Sequence, residues 1–315
     1  LHKIKTIKII KKEVINRRLI ETDFIDEKIR IYIKDNIKKY YIIKYKYKNI
    51  IISLSYYCCN IVNKNLLKTI IKRIIFCMDI TNIYKSVNVD IYDTPFKKHL
   101  PCCDCEKKLT SININSGLSY ENNIIIYRKE ELLKVLVHEI IHILDIDIKY
   151  ENNNDKKKIL NKLCVNDLLI NESYVETWAN IINIYLSLKE NNERLIVDNY
   201  IKKFIEEKKF SIKQCCKIIL YFKLNISNNI CSKNVSDKSN IISYILLKIY
   251  NLFYINKFLK NFKGIDTIIV NKYDYSKYID YLYKIINYKI DIFDKNLKKM
   301  KLYKYKLNMN MTISK

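Results

Sequence analysis

A chain of 315 residues with 49% apolar and 12% aromatic content has ample material for a buried core, which excludes a chain too polar to fold. Its 58 Lys and Arg against 33 Asp and Glu give a net charge of +25, ordinarily a sign of nucleic-acid or anionic-membrane binding. The skew toward Ile, Lys, Asn and Tyr, with only two Gly and two Pro, reads instead as a bias toward AT-rich codons, and the Lys are spread along the whole chain, so no specific nucleic-acid partner is expected.

Ten cysteines include the adjacent pairs Cys58-Cys59, Cys102-Cys103 and Cys215-Cys216, a poor basis for a disulfide framework in a chain this long. Reduced cysteines, and a start at Leu1 with no apolar signal core behind it, predict an intracellular protein. Every apolar run is shorter than the roughly 18 residues that a membrane span needs, so no transmembrane segment is expected.

In chain order, a basic stretch reads as helical, and Ile29-Arg30-Ile31-Tyr32-Ile33 then alternates like a strand. Tyr40 to Lys46, a Lys48-Asn49 turn and Ile50 to Tyr57 predict a hairpin. Residues 61–78 place Leu66, Ile70, Ile71, Ile74, Ile75 and Met78 at helical spacing, predicting an amphipathic backing helix. Val87 to Tyr92 and Ile124 to Tyr127 read as further strands. Pro95, Pro101 and Gly117 fall between these two, so the connection is expected to need special backbone geometry. Beyond residue 128 the signals are helical: about 129–145, 157–188, 192–209, 211–223, 240–262 and 274–290. Residues 225–240, and more briefly Asn152 to Asp155, read as linkers. The expectation is an α+β chain: residues 1–150 form a half with a small twisted sheet, and residues 151–315 a mainly helical half.

The chemistry is concentrated at His138-Glu139-Ile140-Ile141-His142. Glu130 and Glu131 suit a first helical turn, where carboxylates meet the positive end of the macrodipole, and Leu132 to Leu144 supplies an apolar face. On such a helix the two imidazoles, four residues apart, project from one side and can bind a single zinc ion. Glu139, beside them, is then placed to take a proton from a water that zinc acidifies. With only four His in the chain, a chance match to this spacing is rare, although a helix can carry the pattern and bind nothing.

Zinc needs a third protein ligand. Position 145 is Asp and position 148 is Ile, which excludes the short-spaced third His of the metzincin pattern, and no His follows His142. A carboxylate or a Cys remains. Asn171-Glu172-Ser173-Tyr174-Val175-Glu176 offers two Glu on one helical face, with Glu172 as ligand and Glu176 as acceptor of a ligand imidazole's outer N–H. Cys164 is a rival ligand, and a plain solvated helix face is the rival reading of the Glu pair.

At these residues the chain resembles the gluzincin class of zinc metallopeptidases, in which HExxH is followed on a second helix by a Glu ligand. The resemblance covers residues 124 to 180 and implies ligands His138, His142 and Glu172, the base Glu139, Glu176 as the supporting acid, one zinc ion, and a peptide or protein substrate. It also implies a zincin-like sheet with a backing helix and an HExxH active-site helix, matching the upstream order. The composition, Ser116-Gly117 before Ile124 to Glu131, and the Glu-x-x-x-Glu-x-Trp-Ala stretch are similar to uncharacterised metallopeptidase-like proteins of large DNA viruses, which implies a host cytoplasm or virion setting. The chain departs from several such families in the spacing of Glu172, 30 positions beyond His142, and in having no downstream His to stabilise an oxyanion.

Lesser signals remain open. Cys102, Cys103 and Cys105 with His99 are a second candidate zinc group or a surface loop. Trp178 and Ala179 read as core. Ser116, Gly117 and Leu118 are an edge strand for an added peptide or a structural turn. Two other functions compete with the peptidase: an inactive zincin-like scaffold, and a basic nucleic-acid binder carrying the motif by accident.

Overall fold

The computed structural model describes residues 9–13, 25–101, 109–147, 153–163, 167–191, 196–221, 240–262, 275–287 and 309–313. The chain is α+β: a mixed sheet threaded by helices, then a mainly helical C-terminal half.

Among the described residues, the sheet has six strands in the order β1-β2-β3-β4-β6-β5. Strands β1 (Ile9–Glu13), β2 (Lys39–Tyr47) and β3 (Ile50–Cys58) are antiparallel neighbours. Strand β4 (Val87–Tyr92) lies parallel to β3, and β6 (Asn123–Ile126) parallel to β4. Strand β5 (Gly117–Tyr120) returns antiparallel on the outer side of β6 and forms one edge. The hairpin falls where the alternation predicts it, and Lys48 takes the left-handed turn conformation at φ 50°. The opening basic stretch corrects expectation. Ile9–Glu13 is a strand, because pairing with Lys39–Ile43 satisfies its backbone in the sheet.

Helix α1 (Glu27–Asn36) is a second correction, since its Ile29-x-Ile31-x-Ile33 pattern reads as a strand in isolation. The pattern that packs is Ile25, Ile29, Ile33 and Ile37, four apart and all buried, whereas Ile31 is 52% exposed. Asp26 caps the helix by accepting from the Lys28 amide at 3.0 Å. Helix α1 covers one face of the sheet through Tyr57, Tyr92, Ile125 and Tyr127. Helix α2 (Lys64–Thr81) backs the other face, packing in the main core with Leu54, Tyr56, Val89, Ile91, Ile124 and Ile126. Alternation of neighbouring residues between two buried faces explains the continuous apolar run of β6.

A short helix α3 (Ser111–Ile114) precedes β5, and the motif helix α4 (Leu132–Ile143) follows β6 and packs on α2, β5 and β6. Glu131 is not in its first turn. It is the left-handed residue preceding the helix, at φ 59°, and its carboxylate makes no cap. Gly117 is also not the conformational hinge expected from its placement, because its φ is not positive. Space demands it: a Cβ there would lie 2.9 Å from Val135 Cγ1, 3.1 Å from the Ile125 carbonyl and 3.2 Å from Glu139 Oε1.

The run expected over 157–188 is two helices, α5 (Asn153–Leu163) and α6 (Ile170–Glu190), so Asn153 to Asp155 begin a helix rather than form a linker. The two runs expected over 192–223 are one helix, α7 (Val197–Tyr221). A π-helical segment, Ile242–Leu247, runs into α8 (Lys248–Phe253), followed by α9 (Ile255–Phe262) and α10 (Tyr275–Ile286). The linker expected over 225–240 lies outside the described residues, apart from Asn240.

Two buried polar clusters fix α6. Arg73 of α2 donates to both carboxylate oxygens of Glu190, at 2.8 and 2.6 Å, to Asn183 Oδ1 at 2.6 Å and to the Leu133 carbonyl at 3.1 Å, tying α2, α4 and α6 together. Along another part of α6, Tyr278 Oη of α10 meets Ser173 Oγ at 2.7 Å, while Asn251 of α8 donates to Tyr278 Oη at 2.8 Å and to Thr177 Oγ1 at 2.9 Å. Among the described residues, no helix is long and apolar enough to cross a membrane.

Candidate metal centre

Helix α4 is apolar almost all round, so it is buried, and His138 and Glu139 are buried with it while His142 is partly buried. The four-residue spacing puts both imidazoles on one side, with their Nε2 atoms 3.2 Å apart. Helix α6 crosses α4 and brings Glu172 Oε2 to 3.3 Å from His138 Nε2 and 3.5 Å from His142 Nε2. The three donor atoms form a nearly equilateral triangle. Ligand atoms around a tetrahedral ion with bonds of about 2.0–2.1 Å stand roughly 3.3 Å apart, so the triangle has the dimensions of one face of such a coordination shell. Glu172 Oε2 is buried and receives no hydrogen bond of good geometry, which fits a donor set able to hold a metal ion.

The outer nitrogens are engaged as well. His138 Nδ1 lies 3.1 Å from Glu176 Oε2, and His142 Nδ1 lies 2.9 Å from Asp147 Oδ2. Asp147 is not evident from the sequence. After α4, Asp145 adopts a left-handed conformation at φ 54°, its amide bonding to the His142 carbonyl at 3.0 Å, and the chain folds back to bring Asp147 under the ring. Lys85 steadies this turn by donating to the Ile143 carbonyl at 2.9 Å and pairing with Asp145. An acid five positions beyond the second His, past a residue type that tolerates φ > 0, is the only signal that points to it.

Charge is distributed to suit a cation. Burial alone would lower both imidazoles, but Glu172 and Glu176 outweigh it at His138, and Glu172 with Asp147 raises His142 well above the usual histidine value. Burial likewise pushes Glu172 up, yet His142 and His138 hold it well below the ordinary carboxylate range. Burial opposes Glu176 ionising too, and Lys134, Lys248 and His138 overcome it. A divalent cation bound at this triangle would have to displace any protons held by the imidazoles.

Glu139 projects beside the triangle, with Oε2 accepting from Ser119 Oγ of β5 at 2.8 Å and Oε1 facing Gly117. A cleft of about 770 Å³ opens here, bounded by β5 through Gly117, Leu118, Ser119 and Tyr120, and on the far side by Glu172 and Tyr244. Tyr244 sits on the π-helical segment, its ring centroid 5.9 Å from that of His138. Burial, reinforced by Glu172, Glu139 and Glu176, keeps its phenol protonated.

Of the other sequence candidates, Trp178 and Ala179 are buried core. His99 is exposed, and Cys102, Cys103, Cys105 and Cys164 lie outside the described residues. Comparison of the chain with protein-family models, with curated proteins and with solved structures finds no match. The reading of the site therefore rests on its geometry.

Proposed function

We propose that the protein is a zinc-dependent peptidase. The observation that carries this reading is the triangle of His138 Nε2, His142 Nε2 and Glu172 Oε2, set beside the carboxylate of Glu139 at the floor of a cleft bordered by an edge strand. His138, His142 and Glu172 are the protein ligands, and two imidazoles with one carboxylate make a donor set suited to zinc. A zinc ion held there would supply Lewis acidity and bring a coordinated water toward a pKa of about 7.

Glu139 takes the proton from the attacking water and returns it to the leaving nitrogen; Ser119 holds its Oε2, and Gly117 leaves room for Oε1 to turn toward the cleft. Tyr244 is the chain's candidate donor to the carbonyl oxygen as negative charge develops, a role that needs a protonated hydroxyl lining the cleft. Glu176 and Asp147 fix the imidazole orientations. Among the described residues, strand β5 pairs on one side only, with β6, so its outer edge offers backbone groups to an extended peptide.

Zinc content by elemental analysis, together with cleavage of a quenched fluorescent peptide mixture, tests the proposal. The wild-type protein should carry one zinc and cleave. Glu139→Gln should keep the zinc and lose turnover by at least about 100-fold, as expected for removal of a general base. His138→Ala and His142→Ala should lose both. A metal-free wild type, or equal metal loss in all three variants, overturns the assignment.

A further inference from the structure

Five residues from the far end of the described chain, Met309–Ile313, are held against the metal centre mainly by polar groups. Glu131 Oε1 accepts from the Met311 and Thr312 amides, at 2.7 and 2.6 Å. Glu207 Oε2 accepts from Thr312 Oγ1 at 2.8 Å and the Ile313 amide at 2.9 Å. The Met309 amide donates to the Lys98 carbonyl at 3.1 Å, and Lys248 Nζ donates to the Met311 carbonyl at 2.9 Å. A backbone carbonyl from the loop after β4 and side chains from the residue preceding α4, from α7 and from α8 thus converge on one short segment.

With Lys134 and Glu176, the residues that supply these groups form a buried, balanced array of three ammoniums, Lys98, Lys134 and Lys248, and three carboxylates, Glu131, Glu176 and Glu207. Lys98 pairs with Glu131 at 2.7 Å, while Lys134 and Lys248 both pair with Glu176. Burying so many charges gains little stability over apolar packing of equal volume, so their retention points to position rather than strength. The position in question is that of the Glu176 carboxylate. Oε2 meets Lys134 and His138 Nδ1, and Oε1 lies 3.5 Å from Lys248. Among the described residues, the only other acceptor of Lys248 Nζ is the Met311 carbonyl. Met311 also lines a small inner cavity of about 40 Å³ shared with Gly117, Val135, His138 and Glu139.

We propose that the segment Met309–Ile313 is a remote part of the metal centre: its seating on Glu131 and Glu207 fixes Lys248, and Lys248 with Lys134 sets Glu176 against His138. This rests on the metal reading of the site, but not on the peptidase reading. The residues involved are positioning residues; none of them touches the ion or the substrate.

The test uses the full chain and zinc or cobalt alone. Zinc affinity is measured by competition with a chromophoric chelator, the visible spectrum of the cobalt(II)-loaded protein reports ligand geometry, and thermal midpoints are taken with chelator and with excess zinc. Lys248→Met should weaken zinc binding roughly 10–100-fold and alter the cobalt spectrum, because it leaves Glu176, the outer partner of His138, without its Oε1 contact. Glu131→Gln, a milder change that spares Lys248, should weaken zinc binding by about 10-fold, and Lys248→Arg should restore most of the loss. In each weakened variant the zinc-induced rise in midpoint should shrink more than the midpoint in chelator falls. Should Lys248→Met fail to fold, Glu131→Gln decides. Unchanged zinc affinity and cobalt spectrum in folded variants overturn this inference while leaving the metal site standing; a wild type that takes up neither metal overturns both.

Discussion

Glu176 Oε2 lies 3.1 Å from His138 Nδ1, across the imidazole ring from the Nε2 atom that faces Glu172. Two carboxylates one helical turn apart on α6 therefore straddle a single ring, and their variants should differ in kind. Glu172→Ala is expected to abolish tight zinc binding, whereas Glu176→Ala should weaken it by roughly 10–100-fold. Competition titration with a chelator separates the two. Loss of zinc in Glu176→Ala with retention in Glu172→Ala would place the ligand one turn further along α6.

Asp147 gives an independent check on the second imidazole. Asp147→Asn keeps the size of the side chain but removes the carboxylate that faces His142 Nδ1 at 2.9 Å, and zinc affinity should fall by about 10-fold with little change in unfolding of the chelated protein. If affinity is unaltered, His142 is oriented by something else.

The metal-free protein should show a distinctive pH dependence. His138 and His142 are raised by their carboxylate partners, and a raised imidazole stabilises the fold fully below its unfolded value, about 6.5, and loses that contribution as pH rises through the folded value. Glu172 and Glu176 are depressed, so their contribution is present above about 4.3 and disappears as pH falls through the folded value. In chelator the cluster should therefore stabilise most between roughly pH 4.5 and 6.5, with a decline on the alkaline side that is shallower in Glu172→Gln, where Glu176 and Asp147 still face the imidazoles. Excess zinc, which binds neutral imidazoles, should abolish that decline. Thermal midpoints of both proteins across pH 4 to 9 make the comparison, and identical alkaline slopes in chelator would refute the pairing.

Among the described residues, Arg73 is one of the largest fully buried side chains, and its partners lie on the two helices that carry the triad. Arg73→Met leaves the Glu190 carboxylate, Asn183 Oδ1 and the Leu133 carbonyl without this donor, and should destabilise the protein by about 3 kcal/mol. Urea unfolding measures it. A loss below about 1 kcal/mol would mean that the guanidinium contributes no more than a surface pair.

Much of the centre is legible without coordinates because helical geometry is local: the spacing of His138 and His142 dictates a shared side, and the absence of any later His turns attention to Glu172 and Glu176. Strand β4 falls at Val87–Tyr92 as its alternation indicates. What is not legible is set by the return of distant chain. Ile29, Ile31 and Ile33 satisfy a period of two, and only the packing of Ile25 and Ile37 selects a period of four. Tyr244 is one of 27 tyrosines, and nothing in its neighbourhood marks it before the π-helical segment reaches the cleft. Glu131 reads as a charge for a helix terminus, yet besides Lys98 its partners are two amides about 180 positions away. Long-range polar pairing of this kind has no periodic signature.

The bonds from Ser173 and Thr177 to Asn251 and Tyr278 bear on a degree of freedom that apolar packing leaves soft, the spin of α6 about its own axis. Ridges of Ile and Leu tolerate a small roll, but a slip of one residue is a turn of about 100°, enough to carry Glu172 and Glu176 away from the imidazoles together. Hydrogen bonds at four successive hydroxyl and amide partners permit only one angular setting. The helix is thereby indexed as a keyed shaft is, and the aim of two carboxylates is decided by residues outside the His138, His142 and Glu172 triangle.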